Sequence, residues 1–147
     1  MPSLKKFLKS KKYLQVPMKL TSTNHLEVKA EINGNPGRFI LDTGASSTCV
    51  GIEQAERFEL VSEHSDIMAA GAGASDLATR ISEKNSICLG KWKDRKAQIV
   101  ILDLMHVNQA LLLHEAEEVD GIIGADLLET GRAVIDYHKK ILYLRKK

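Results

Sequence analysis

Apolar positions recur at every second residue through much of the first half of this chain. Leu14, Val16, Met18 and Leu20 alternate with more polar neighbours, and so do Leu26, Val28, Ala30 and Ile32. A period of two predicts strands with one buried face. Asn33-Gly34-Asn35-Pro36-Gly37 is dense in turn residues, and Asn-Gly is a strong hairpin signal. The chain is therefore expected to return as a strand over 38–41. Further strands are read at 47–50, 67–70, 77–89, 97–102 and 119–124. A closing hairpin is read at 133–137 and 141–144, around His138-Lys139-Lys140. Helices are few. Residues 3–12 read as a short basic helix or a loose segment, and 52–58 as a short helix with Ile52, Ala55 and Phe58 on one side. Residues 104–113 read as a helix capped by Asp103, and 126–130 as another capped by Asp126. Many short strands with few helices predict a small, mostly β domain.

Composition agrees with one globular unit. The chain has 147 residues, 44% apolar and 27% charged, enough to bury a core of its own. No run approaches the roughly 20 apolar residues of a membrane span. The first thirteen residues are too poor in apolar side chains for a signal peptide, so a cytoplasmic location and no membrane partner are expected. The net charge of +2 conceals a segregation. Residues 1–12 carry five lysines and no acid, and residues 139–147 five basic residues and no acid, so the stretch between them carries a balance of −8. Solvated ends are the expectation, and with few aromatics among the lysines no nucleic-acid partner is expected. Cys49 and Cys88 lie far apart in apolar contexts and read as buried free thiols. The five histidines are scattered, and His114-Glu115 lacks the second His of a metalloprotease helix. No metal and no cofactor are expected.

The chemistry concentrates in Phe39-Ile40-Leu41-Asp42-Thr43-Gly44-Ala45-Ser46. An apolar strand carries a carboxylate to the end of a sheet, a hydroxyl residue can fix the loop, and a glycine allows the tight turn beneath. An acid so held is expected in a partly dry site, where its protonation can be tuned. A weaker echo, Gly121-Ile122-Ile123-Gly124-Ala125, follows about 80 residues later. Gly71-Ala72-Gly73 lies between two strands and lacks the endings of a phosphate loop or dinucleotide fingerprint. It reads as the tip of a hairpin.

Together, Asp42-Thr43-Gly44-Ala45-Ser46, the hairpin before it, the Gly71–73 loop, the 119–128 segment and the final hairpin resemble the retroviral-type, or retropepsin-like, aspartic proteases. Their bacterial single-domain relatives are the nearest in pattern. The resemblance spans about 14–145, so 1–12 is expected as a basic N-terminal segment and 13–147 as the domain. It implies a closed or orthogonal β-barrel-like fold with one or two short helices and a flap hairpin. It implies an aspartic endopeptidase with Asp42, Thr43 and Gly44 catalytic. Ala45, Ser46, Gly71, Ala72 and Gly73 would contact a peptide or protein substrate, and Ile122, Ile123 and Gly124 would support the loop. Many retroviral members have a second Asp where this chain has Ser46, so their substrate preferences do not transfer.

That chemistry needs two carboxylates sharing one proton, and the chain supplies one such loop. The resemblance implies a homodimer with Thr43 locking the two loops together. Asp120 and Asp126 are not followed by Ser/Thr-Gly and are not expected to complete a dyad. The alternative function is a non-hydrolytic peptide-binding or assembly module of the same fold. A weaker one is a nucleic-acid-binding protein using the basic ends.

Overall fold

The computed structural model describes residues 2–65 and 79–147. Eleven strands and three helices are found among these residues. Helix α1 (Leu4–Ser10) is followed by β1 (Tyr13–Pro17), β2 (Lys19–Leu20), β3 (Leu26–Ile32), β4 (Asn35–Leu41) and β5 (Cys49–Gly51). A single tight helical turn, Ile52–Gln54, precedes β6 (Ser62–Ser65), β7 (Thr79–Leu89) and β8 (Trp92–Leu102). Helix α2 (Met105–Leu113), β9 (Gly121–Ile123), α3 (Ala125–Thr130), β10 (Val134–Asp136) and β11 (Ile141–Arg145) complete the order.

Six strands close on themselves in the order β3-β4-β9-β5-β8-β7, with β7 pairing back onto β3 through Ile32↔Ile87 and Glu31↔Cys88. Closure removes the exposed sheet edge. The mostly β, barrel-like fold expected from the sequence is therefore the observed one, with α2 and α3 as the two short helices of the 13–147 region. A separate sheet, β1-β11-β10, packs against the barrel. It is pinned there by Trp92, whose indole N–H donates to the Arg145 carbonyl at 2.9 Å. Phe39, Phe58, Ile99, Ile123, Leu142 and Leu144 are fully buried within one core shared by barrel and sheet.

Several boundaries differ from the sequence reading, each for a physical reason. The alternation over 14–20 is broken in two. Met18 donates its N–H to the Lys140 carbonyl, and the chain leaves the small sheet there to join the barrel edge. The turn at Asn33-Gly34 is a two-residue hairpin, with φ of +51° and +86°, so Ile32 pairs directly with Asn35. Pro36 and Gly37 thus belong to β4 rather than to a turn. Proline is tolerated because β9 joins β4 only from Phe39 onward. Gly37 is required because the Phe58 ring lies where its Cβ would stand, at 2.6 Å.

The expected helix over 52–58 is one tight turn. Phe58 is fully buried while Ile52 is 48% exposed, so the two do not share a face; the place of Phe58 over Gly37 and Phe39 overrides the local helical pattern. Asp103 accepts from the Met105 N–H at 2.8 Å, but Leu104 is the cap of α2. Asp126 lies inside the first turn of α3, whose cap is Gly124. The strand read at 67–70 lies outside the described residues. The pairing observed with β7 is that of β6, from Ser62↔Ser82 to Ser65↔Thr79.

Candidate active site

Strand β4 delivers Asp42 to its end. Asp42 extends the parallel ladder with β9 by one step, its N–H donating to the Ile123 carbonyl at 3.0 Å. The chain then turns. Ala45 N–H donates to the Asp42 carbonyl at 3.2 Å, and Gly44 N–H donates to Asp42 Oδ1 at 2.9 Å. The carboxylate is thereby oriented by the loop that follows it. Side chains alternate along a strand, so Phe39 and Leu41 pack with the barrel core while Ile40 faces outward beneath α2. Asp42, two residues beyond Ile40, continues that outward face.

The loop rests on the segment that follows β9. Ala125 N–H donates to the Ala45 carbonyl at 2.7 Å. A Cβ on Gly124 would stand 2.7 Å from the Ser47 carbonyl and 2.9 Å from the Ala45 oxygen, so only glycine fits there. Thr48 joins the pieces. Its hydroxyl accepts from the Gly124 N–H at 3.1 Å and donates to Asp126 Oδ1 at 2.8 Å. Asp126 Oδ1 also accepts the N–H groups of Thr48, at 2.9 Å, and Leu127, at 2.7 Å. Asp126 is thus a fastener between α3 and the loop that follows Asp42 rather than a helix cap. Neither Thr48 nor this use of Asp126 was read from the sequence; the apolar segment ending at Gly124 was.

The structure brings Asp42, Thr43, Gly44, Ala45 and Ser46 into one loop beside Ile122, Ile123 and Gly124. Gly71, Ala72 and Gly73 lie outside the described residues. The partly dry carboxylate expected from the sequence is not met within one chain. Asp42, Thr43, Gly44 and Ser46 are exposed, and Ala45 is half-buried. Burial begins just behind, at Thr48 and Cys49. There burial pushes the Cys49 thiol up from an ordinary 9.0 to about 12, aided by Asp126 and Asp42 and opposed by a hydrogen bond with the Ile122 backbone. Cys49 and Cys88 are both free, but Cys88 is only half-buried.

No second acid of the chain reaches Asp42 as a partner among the described residues. Asp120 bonds back to Arg38, four residues upstream of Asp42 on β4, which is about 13 Å along a strand. Its Oδ2 accepts the Arg38 N–H at 2.9 Å and its Oδ1 pairs with Arg57 at 2.9 Å. Asp126 is held by Thr48 and Leu127 as described. On the outward face of β4 a cavity of about 560 Å³ opens between α2 and the turn that joins β2 to β3. Ile40, Val107, Ala110 and Leu111 give it an apolar floor, and His25 and His114 flank it. The sequence did not reveal this cavity, because its walls come from three separate segments. No group of three His, Cys, Asp or Glu side chains is placed to hold a metal ion among the described residues.

Comparison with known proteins gives the same frame. Among solved structures, a retropepsin-like aspartic protease from Rickettsia conorii aligns with a TM-score of 0.56 at 19% identity, over 91% of this chain and 90% of that one. The retroviral protease-like domain of Ddi1 from Leishmania major aligns with a TM-score of 0.57 at 17% identity, over 82% and 87%. EIAV protease, complexed with the inhibitor HBY-793, aligns with a TM-score of 0.53 at 16% identity, over 82% and 92%. At these identities the likeness is one of fold. A sequence search of curated proteins finds no match. The family model described as aspartyl protease matches residues 28–127, a stretch that runs from β3 through the Asp42 loop to α3. With that match over two thirds of its length, this chain belongs to the aspartyl protease family.

Proposed function

We propose that this protein is an aspartic endopeptidase whose catalytic dyad forms across a homodimer, one Asp42 from each subunit. The observation that carries this reading is the presentation of Asp42. It is oriented by Gly44 N–H, exposed, and without a carboxylate partner among the described residues of its own chain. Two such carboxylates, brought together on a two-fold axis, cannot both ionise at close range. The proton they share gives each a distinct task. The ionised Asp42 takes a proton from a water held between the pair. The protonated Asp42 donates to the scissile carbonyl oxygen as the water oxygen attacks its carbon. Collapse of the tetrahedral intermediate returns a proton to the leaving nitrogen and breaks the C–N bond. Every group required is a carboxylate or a water.

Thr43 suits the locking role because it is exposed and its hydroxyl makes no hydrogen bond within the described part of its own chain. Gly44 sets the carboxylate, and Ile122, Ile123 and Gly124 brace the loop from behind. Ala45, Ser46, Gly71, Ala72 and Gly73 are assigned to the substrate backbone, which would lie extended in the cleft. The cavity between α2 and the β2–β3 turn shares the outward face with Asp42 and suits an apolar substrate side chain.

The test is Asp42→Asn. An amide cannot serve as the water's base, so cleavage of a peptide library should fall at least 100-fold, roughly, with the fold intact. Undiminished cleavage by that variant refutes the assignment. A transition-state analogue should bind the unmodified protein far more tightly than the variant. Equal binding to both would instead favour the module that holds peptides without hydrolysing them.

A further inference from the structure

The two basic ends of the sequence are expected as separate solvated tails. The fold brings them together. β1 pairs antiparallel with β11, Tyr13 facing Arg145, and Lys146 donates its N–H to the Lys12 carbonyl at 2.8 Å. Between α1 and this sheet lies a cleft of about 1080 Å³. Lys5, Lys9 and Lys12 line one wall, and Lys91, Arg132 and the basic residues 145–147 line the other. No acidic side chain lines it. Of these cations, only Lys147 has a carboxylate within ion-pair distance among the described residues, Asp94 at 3.0 Å. Gathering like charges in a concave surface raises the local potential and attracts anions.

A second observation concerns α1 itself. Leu8 is buried against the body of the protein, whereas Leu4 and Phe7 are 45% and 48% exposed. Three residues apart, they share one flank of the helix, and the cleft lysines Lys5 and Lys9 lie on the other. The helix is thus a ridge with Leu4 and Phe7 on one slope, where Lys11 Nζ lies 5.7 Å from the Phe7 ring centroid, and Lys5 and Lys9 on the other. A nucleic-acid backbone would satisfy the cations but leave the apolar slope in water. The one aromatic residue of the cleft, Tyr13, has its hydroxyl tied to the Arg132 carbonyl at 2.8 Å and does not form a stacking platform.

We propose that this face docks the protein on an anionic phospholipid surface. Headgroup phosphates enter the cleft, and Leu4 and Phe7 enter the interfacial layer. No helix among the described residues is long and apolar enough to cross a membrane, and surface docking requires none. The expectation of no membrane partner rested on that missing span. The docking does not depend on proteolysis.

Cosedimentation of the full chain with vesicles tests the proposal. Phosphatidylcholine vesicles containing about 30% phosphatidylserine should bind it, and pure phosphatidylcholine vesicles should not, at near-physiological salt. Replacing Lys5, Lys9 and Lys12 by Gln should weaken binding about 100-fold, near 5-fold per charge. Lys91→Gln with Arg132→Gln, on the opposite wall, should weaken it about 25-fold without touching α1. Leu4→Ser with Phe7→Ser should weaken it on the order of 10-fold at unchanged charge. Absence of binding to the anionic vesicles overturns the proposal, as does equal binding to neutral ones. Retention of an oligonucleotide or acidic peptide, with vesicles left unbound, overturns it in favour of that partner.

Discussion

At the scale of single residues, the loop that carries Asp42 is held by groups that have no part in the proposed chemistry. Thr48 is the clearest. Its hydroxyl accepts from Gly124 N–H and donates to Asp126 Oδ1, and it is 2% exposed. Thr48→Val preserves shape but removes both bonds. A buried N–H left without an acceptor costs about 1–3 kcal/mol. The variant should therefore unfold at lower denaturant, with most of the loss traceable to that orphaned amide. Because the same bonds position the loop after Asp42, activity per folded molecule should also fall. An unchanged denaturation midpoint would show that Thr48 fastens nothing. Asp42-Thr43-Gly44 was legible in the sequence because its parts are contiguous. Thr48 and Asp126 were not, because their meaning arises only when residues 78 apart are joined by a hydrogen bond.

At the scale of elements, β5 is the keystone of the barrel. It is three residues long and lies between β8, to which it is parallel, and β9, to which it is antiparallel. Cys49 on this strand carries the strongest titration signature of the site. Below pH 9 the thiol is protonated in folded and unfolded chains alike. As pH rises from 9 towards 12 the unfolded chain loses that proton while the folded chain keeps it, so stability falls by up to about 1.4 kcal/mol per pH unit across that window. Cys49→Ala removes this one contribution. Denaturation midpoints measured from pH 8 upward should drop more steeply for the unmodified protein than for the variant, and parallel curves would mean that the thiol ionises freely in the fold. Elements of this kind were legible where local chemistry decides them. The Asn33-Gly34 hairpin and the final hairpin follow from turn residues between alternating strands. The break at Met18 and the shortening of the 52–58 helix to one turn did not show, since each is decided by a distant partner: the Lys140 carbonyl for one, the space over Gly37 for the other.

At the scale of the whole molecule, one chain is a closed barrel that presents a single Asp-Thr-Gly loop. The barrel has no open edge among its six closed strands, yet Asp42 and Thr43 stand exposed at one end of it. A second copy supplies what is missing in the proposed dimer, and two consequences can be measured. Thr43→Ala removes one locking hydroxyl from each subunit. At about 1 kcal/mol for each hydrogen bond, the dimer should dissociate roughly 30-fold more readily, while the monomer's own unfolding is little changed. Sedimentation over a range of concentrations reads this directly, and an unaltered dissociation constant would remove Thr43 from the interface. The stronger test mixes chains. If a working site needs Asp42 from both subunits, a heterodimer with the Asp42→Asn chain holds one acid and one amide and cannot share a proton as required. After exchange, an equal mixture should retain about a quarter of the activity of an all-wild-type sample at the same total concentration, since a quarter of randomly formed pairs are wild-type on both sides. Retention of about half, in simple proportion to the wild-type chain, would mean that each subunit carries a complete site, and the shared dyad would have to be abandoned.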